Sequence, residues 1–131
     1  MAILQRSYAH LSPPGRGTYS RAVRDGDWLY VSGIAAFMGA DNPPVPSDIA
    51  SQTEMVFSYL RGILEAEGGG FEDLVSTQTF LTDISYFRTV NEIRGRVFGF
   101  ARPASAMVVV AALGLPELKI EITAIAHLNQ R

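Results

Sequence analysis

The spacing of apolar residues changes along the chain, and each change predicts an element. Val56, Tyr59, Leu60, Ile63 and Leu64 fall at i, i+3, i+4, i+7 and i+8, one stripe of an amphipathic helix. That helix opens at Ser47 or Asp48 and runs to about Glu67, where Gly68-Gly69-Gly70 ends it. Before it, Thr18 to Val23 and Trp28 to Ser32 read as short strands. Asp25-Gly26 between them is a hairpin turn pair. The Asn42-Pro43-Pro44-Val45-Pro46 stretch is a loop, because its prolines cannot donate to a ladder. After the helix, Leu74 to Thr82 is a strand rich in Val, Thr and Phe. Ser85 to about Phe98 is a weaker helix, partly broken by Gly95. Ser105 to Leu113 is a dense apolar run whose unbroken character predicts cover on both faces. Leu118, Ile120, Ile122, Ala124 and Ala126 then alternate with Lys119, Glu121, Thr123, Ile125 and His127, the period of a half-buried strand.

Two amphipathic helices among five or six strands predict an α+β fold with both helices on one side of a single sheet. Residues 1–17, rich in Ser, Pro and Gly, read as an arm, and residues 1–131 as one domain. Sheet polarity and strand order do not follow from the pattern.

Composition narrows the function. Eleven Lys and Arg against thirteen Asp and Glu leave a net charge of −2, which argues against a phosphate-backbone binder. The chain has no cysteine, so thiolate nucleophiles and disulfides are excluded. The longest apolar stretch, Ala106 to Leu113, is far short of the roughly 20 residues of a membrane span. The first residues do not read as a signal peptide. A cytoplasmic protein without membrane or nucleic-acid partners is the expectation. No phosphate loop, nucleophile elbow or H-E-x-x-H motif is present, and two histidines, His10 and His127, do not make a zinc site. Neither a cofactor nor a metal is implied.

What remains is a few polar residues in apolar settings. Ser32-Gly33 closes a strand, where a glycine lets a ligand or another backbone approach. Glu121 lies between Ile120 and Ile122. Taken singly, the first is a strand-end turn and the second part of a solvated face.

Taken together, the segments resemble a known family. Gly17-Thr18-Tyr19-Ser20-Arg21-Ala22, Leu29-Tyr30-Val31-Ser32-Gly33, Gln52-Thr53 through Ala66, Thr79-Phe80-Leu81-Thr82-Asp83-Ile84 with Asn91, Pro103-Ala104 and Ile120-Glu121-Ile122 occur in the order found in the Rid (YjgF/YER057c/UK114) proteins. The similarity runs from about residue 12 to residue 127. It implies a chorismate-mutase-like fold, with a single mixed sheet, and a homotrimer with ligand clefts between subunits. It also implies hydrolysis of reactive imines and enamines, such as 2-aminoacrylate, to 2-oxo acids and ammonia. In such members an Arg in a P-A-R-S/T segment grips the substrate carboxylate. A Glu on the last strand, here Glu121, holds or activates the water. Tyr19, Ser32, Gly33 and Asn91 match further cleft positions.

Three positions depart from that pattern. Ser105 stands where the Arg is expected, Ile34 where a Gln follows the Ser-Gly pair, and Met107 where a small residue is usual. Arg102, three residues upstream, and Arg16 are the candidate replacement cations. A bidentate charged pair contributes about 1.5–3 kcal/mol per hydrogen bond, which one serine cannot match. The expectation is therefore a Rid-type enzyme acting on a small imine, enamine or enol other than 2-aminoacrylate. Glu121 is its acid–base, and Tyr19, Ser32, Gly33, Asn91, Arg102, Ser105 and Met107 line its cleft. The competing reading is a non-catalytic ligand-binding or regulatory trimer. A ribonuclease role, sometimes attached to the family, fits the acidic balance poorly.

Overall fold

A computed structural model describes residues 3–128. Six strands, β1 (Leu4–Arg6), β2 (Ala22–Asp25), β3 (Trp28–Ile34), β4 (Leu74–Leu81), β5 (Ala104–Val109) and β6 (Ile120–His127), form one sheet. Their order is β1-β2-β3-β6-β4-β5. Helix α1 (Ile49–Ala66) follows β3, and α2 (Phe87–Phe98) follows β4. The β4–β5 pair is parallel, and β6 runs antiparallel to both β3 and β4. Thus β3, β4 and β5 point the same way, and each crossover advances in the same direction across the sheet. Crossovers of one hand advancing in one direction put their helices on the same face. Both helices cover that face and leave the other bare.

Local chemistry sets the boundaries. The Asp48 carboxylate caps α1 by accepting from the Ser51 amide at 2.8 Å. In the β2–β3 hairpin Asp25 pairs with Trp28, and Gly26 takes the positive φ of 61° that this two-residue turn needs. The apolar stripe of α1 is fully buried, with Val56, Phe57, Leu60, Ile63 and Leu64 against Leu29, Ile120, Ile122 and Ala126 of the sheet. The Gln52 amide, inside the core, donates to the carbonyls of Pro46 and Glu117 and accepts from the Lys119 amide. That ties the entry of α1 to the entry of β6. Among the described residues no helix is long and apolar enough to cross a membrane.

Several expectations need correction. The arm contains an edge strand, β1, whose Arg6 reaches the Glu67 carboxylate at 2.7 Å. Arg24 (3.2 Å) and the Tyr8 hydroxyl (2.7 Å) join it there. The strand expected from Thr18 begins only at Ala22, and Gly95 does not interrupt α2. The run from Ser105 to Leu113 is strand only to Val109. It is an edge strand, and its residues are exposed on both faces except the half-buried Met107. An apolar edge strand in a single chain has no second neighbour to cover it.

Candidate functional site

The predicted site residues fall into two groups, separated by the sheet. The first is built on a bulge. Val31 pairs with Ala124 and Ile34 with Ile122, so Ser32 and Gly33 together oppose the single residue Thr123. Such a two-against-one irregularity bends the strand and re-aims its side chains. The Ser32 hydroxyl donates to the Ser20 carbonyl at 2.6 Å, and the Ser32 amide donates to the Arg21 carbonyl at 3.0 Å. These bonds fix the segment carrying Tyr19, whose ring is 49% exposed. Across the bulge lies Glu121, paired with Phe80 of β4. A β-carbon on Gly33 would stand 2.8 Å from Glu121 Cδ, and closer still to Oε2. Glycine is what lets the carboxyl lie on the β3 backbone.

Glu121 is half-buried, and this burial pushes its carboxyl up from the ordinary value. Among the described residues, its oxygens have no hydrogen-bond or ion-pair partner. A partly desolvated carboxyl without a counter-charge costs stability. Its raised pKa makes it a better proton acceptor than an ordinary carboxylate.

The second group lies on the helix side. Ser105 and Met107 register with Thr77 and Thr79, which are buried beneath the helices together with Ala124 and Ile122. Glu121 registers with Phe80 on the opposite, uncovered face. Ser105 and Glu121 therefore point to opposite sides of one sheet, and one chain alone cannot bring them together. Met107 packs against the core.

Beside Ser105 sits a residue that the sequence reading passed over. Arg94 of α2 donates from Nη1 to the Ser105 hydroxyl at 2.7 Å and from Nη2 to the Asn91 Oδ1 at 3.0 Å. Asn91 and Arg94 are three apart on one helix face, which is the spacing that makes them neighbours. That spacing was the available signal. Burial lowers the pKa of Arg94, and no carboxylate faces it among the described residues. Arg94 and Ser105 line a cleft of about 240 Å³ between α2 and the start of β5, floored by Phe98 and Ala101. Arg102 lines the same cleft, but its Nη1 donates to the carbonyls of Gly99 (2.6 Å) and Ala101 (2.8 Å) in its own loop. The Arg16 side chain lies outside the described residues. No cluster of three or more metal-ligating side chains occurs among the described residues.

Comparison with known proteins gives a consistent result. Residues 10–128 match the endoribonuclease L-PSP family. The chain is 35% identical over 117 residues to Reactive Intermediate Deaminase A, chloroplastic, of Arabidopsis thaliana, covering 89% of this chain and 62% of that protein. It is 33% identical to a RutC family protein of Pyrococcus horikoshii, covering 88% of this chain and 91% of the relative. Among solved structures, a Yersinia pestis protein of the conserved Rid family superposes with a TM-score of 0.89 at 29% identity, covering 97% of this chain and all of that one.

Proposed function

The chain belongs to the Rid (YjgF/YER057c/UK114) family, which the endoribonuclease L-PSP pattern describes, and on that premise we propose that it hydrolyses reactive imines and enamines. The observation that carries this reading is the Glu121 carboxyl, half-buried against Gly33 with no counter-charge. An enamine first takes a proton on carbon to become an imine. Water then adds to the C=N carbon, and the C–N bond breaks to leave a carbonyl compound and ammonia. One group must take a proton from the water and return it to the departing nitrogen. A carboxyl with a raised pKa suits both transfers.

The two halves of the site become one if the chain is a homotrimer, with the α2–β5 edge of one subunit against the bare sheet face of the next. Exposed Trp28, Tyr30 and Val108 on that face support this arrangement. In it, Tyr19, Ser32 and Gly33 flank Glu121, while Asn91, Ser105, Met107 and Arg102 belong to the neighbouring wall. Ser105 itself offers only a neutral bond, so 2-aminoacrylate, which has no apolar side chain to add to that bond, is a poor substrate.

The test is a coupled assay. A serine/threonine dehydratase or an amino-acid oxidase generates enamines or imines in place, and release of the 2-oxo acid and ammonia is followed. Acceleration is expected with imines of larger amino acids and little with 2-aminoacrylate. No acceleration with any of them would turn the reading to a non-catalytic ligand-binding trimer.

A further inference from the structure

We propose that Arg94 is the anion-binding residue of the α2–β5 cleft, and that it holds the carboxylate of a ligand whose apolar part rests on Phe98 and Ala101. The inference rests on the hydrolytic reading only for what happens to the ligand afterwards; the binding itself is independent of it. A guanidinium has five N–H donors, and here two are spent on neutral acceptors, Ser105 Oγ at 2.7 Å and Asn91 Oδ1 at 3.0 Å. Those two bonds orient the planar group without neutralising it, which among the described residues leaves a fixed charge with no carboxylate beside it and three donors without a partner.

The other arginines with described partners are engaged differently. Arg6 and Arg24 pair with Glu67, Arg96 pairs with Glu54, buried Arg21 bonds Ser12, Pro13 and Met38 away from the cleft, Arg61 lies over the Phe71 ring, and Arg102 bonds carbonyls of its own loop. Of these, Arg94 and Arg102 line the cleft, and of the two only Arg94 has its guanidinium held by side-chain acceptors rather than by carbonyls of its own loop. Its Nη1 lies one hydrogen bond beyond a serine side chain, so the charge stands within a few ångströms of Ser105. A planar fork at this place recognises a carboxylate through two parallel bonds. The same cleft has an apolar floor in Phe98 and Ala101 and an apolar wall in Pro103. About 240 Å³ is more than a two-carbon acid fills. A carboxylate with a bulky apolar tail matches both features.

Calorimetric titration with 3-phenylpropionate, acetate and the neutral 3-phenylpropanamide tests this. The full-length protein should bind 3-phenylpropionate at least tenfold more tightly than either of the others. Arg94→Gln should weaken that binding tenfold or more and leave the amide unaffected. Arg96→Gln, which removes the same net charge from the same helix, should change it less than twofold. Arg94→Lys keeps the charge and the helix but lacks the fork, and an intermediate three- to tenfold loss is expected; it also serves if Arg94→Gln does not fold. Equal binding by wild type and Arg94→Gln, equal losses in the Arg94 and Arg96 variants, or no preference for carboxylate over amide would overturn the proposal. Arg94-dependent binding without any imine turnover would sink the hydrolytic reading alone, and turnover without Arg94-dependent binding would sink this inference alone.

Discussion

The carboxyl of Glu121 occupies the space that a β-carbon on Gly33 would need. The glycine is thus part of the arrangement that aims the acid. Gly33→Ala must push the carboxyl away, and because only the flexible end of Glu121 has to move, the stability cost should stay below about 3 kcal/mol. Imine turnover should fall at least tenfold while the thermal midpoint drops by only a few degrees. Paired rate and melting measurements check this; an unaltered rate would show that the position of the carboxyl is immaterial.

Burial raises the Glu121 pKa, so the folded state favours the neutral form. Ionising it costs folding free energy at pH values above its folded pKa. The cost is absent below the unfolded value near 4.5. Glu121→Gln is therefore expected to be at least as stable as wild type at pH 7, with the difference vanishing below about pH 4. Melting curves from pH 3 to 8 for both proteins test the sign.

Glu67 behaves in the opposite sense. Its burial works against the charged form, but hydrogen bonds from Arg6, Tyr8 and Arg24 outweigh that, and its pKa is lowered. A depressed carboxyl contributes stability above its unfolded value, which is lost as pH falls through the folded one. Glu67→Ala leaves two arginines facing a buried gap and should cost about 3–5 kcal/mol at pH 7. The deficit relative to wild type should shrink below pH 4.5. Denaturant unfolding at pH 7 and pH 3.5 measures both.

Much of this architecture was legible in the sequence, for identifiable reasons. The α1 stripe and the alternation of β6 are local periodicities, so they predict their own boundaries closely. β1 was missed because Leu4-Gln5-Arg6 is three residues long and held by pairing with β2 and by Glu67, which are contacts no local pattern encodes. The Ser105–Leu113 run reads too long, because apolar composition continues past Val109 where the ladder with β4 stops, and its place at the sheet edge depends on where α2 returns the chain. Glu121 could be singled out, but not the bulge that seats it, because that bulge arises from a register between β3 and β6. Arg94 was not legible because its partner Ser105 lies on a different element, and helix spacing alone shows only its neighbour Asn91.

Assembly is a separate expectation. Sedimentation equilibrium at micromolar concentration should give a mass about three times 14.3 kDa. Phe80, beside Glu121 on the bare face, and exposed Tyr30 belong to the surface to be covered. Tyr30→Glu should weaken association without unfolding the subunit. A stable wild-type monomer would contradict the shared site.

The most direct test of the account is turnover by Glu121→Gln, which keeps the shape of the side chain and removes its acid. If Glu121 moves the proton between water and the leaving nitrogen, turnover of the best imine substrate should fall by roughly 10²–10⁴-fold, with assembly retained. A well-folded Glu121→Gln protein that turns over the imine at the wild-type rate would contradict it.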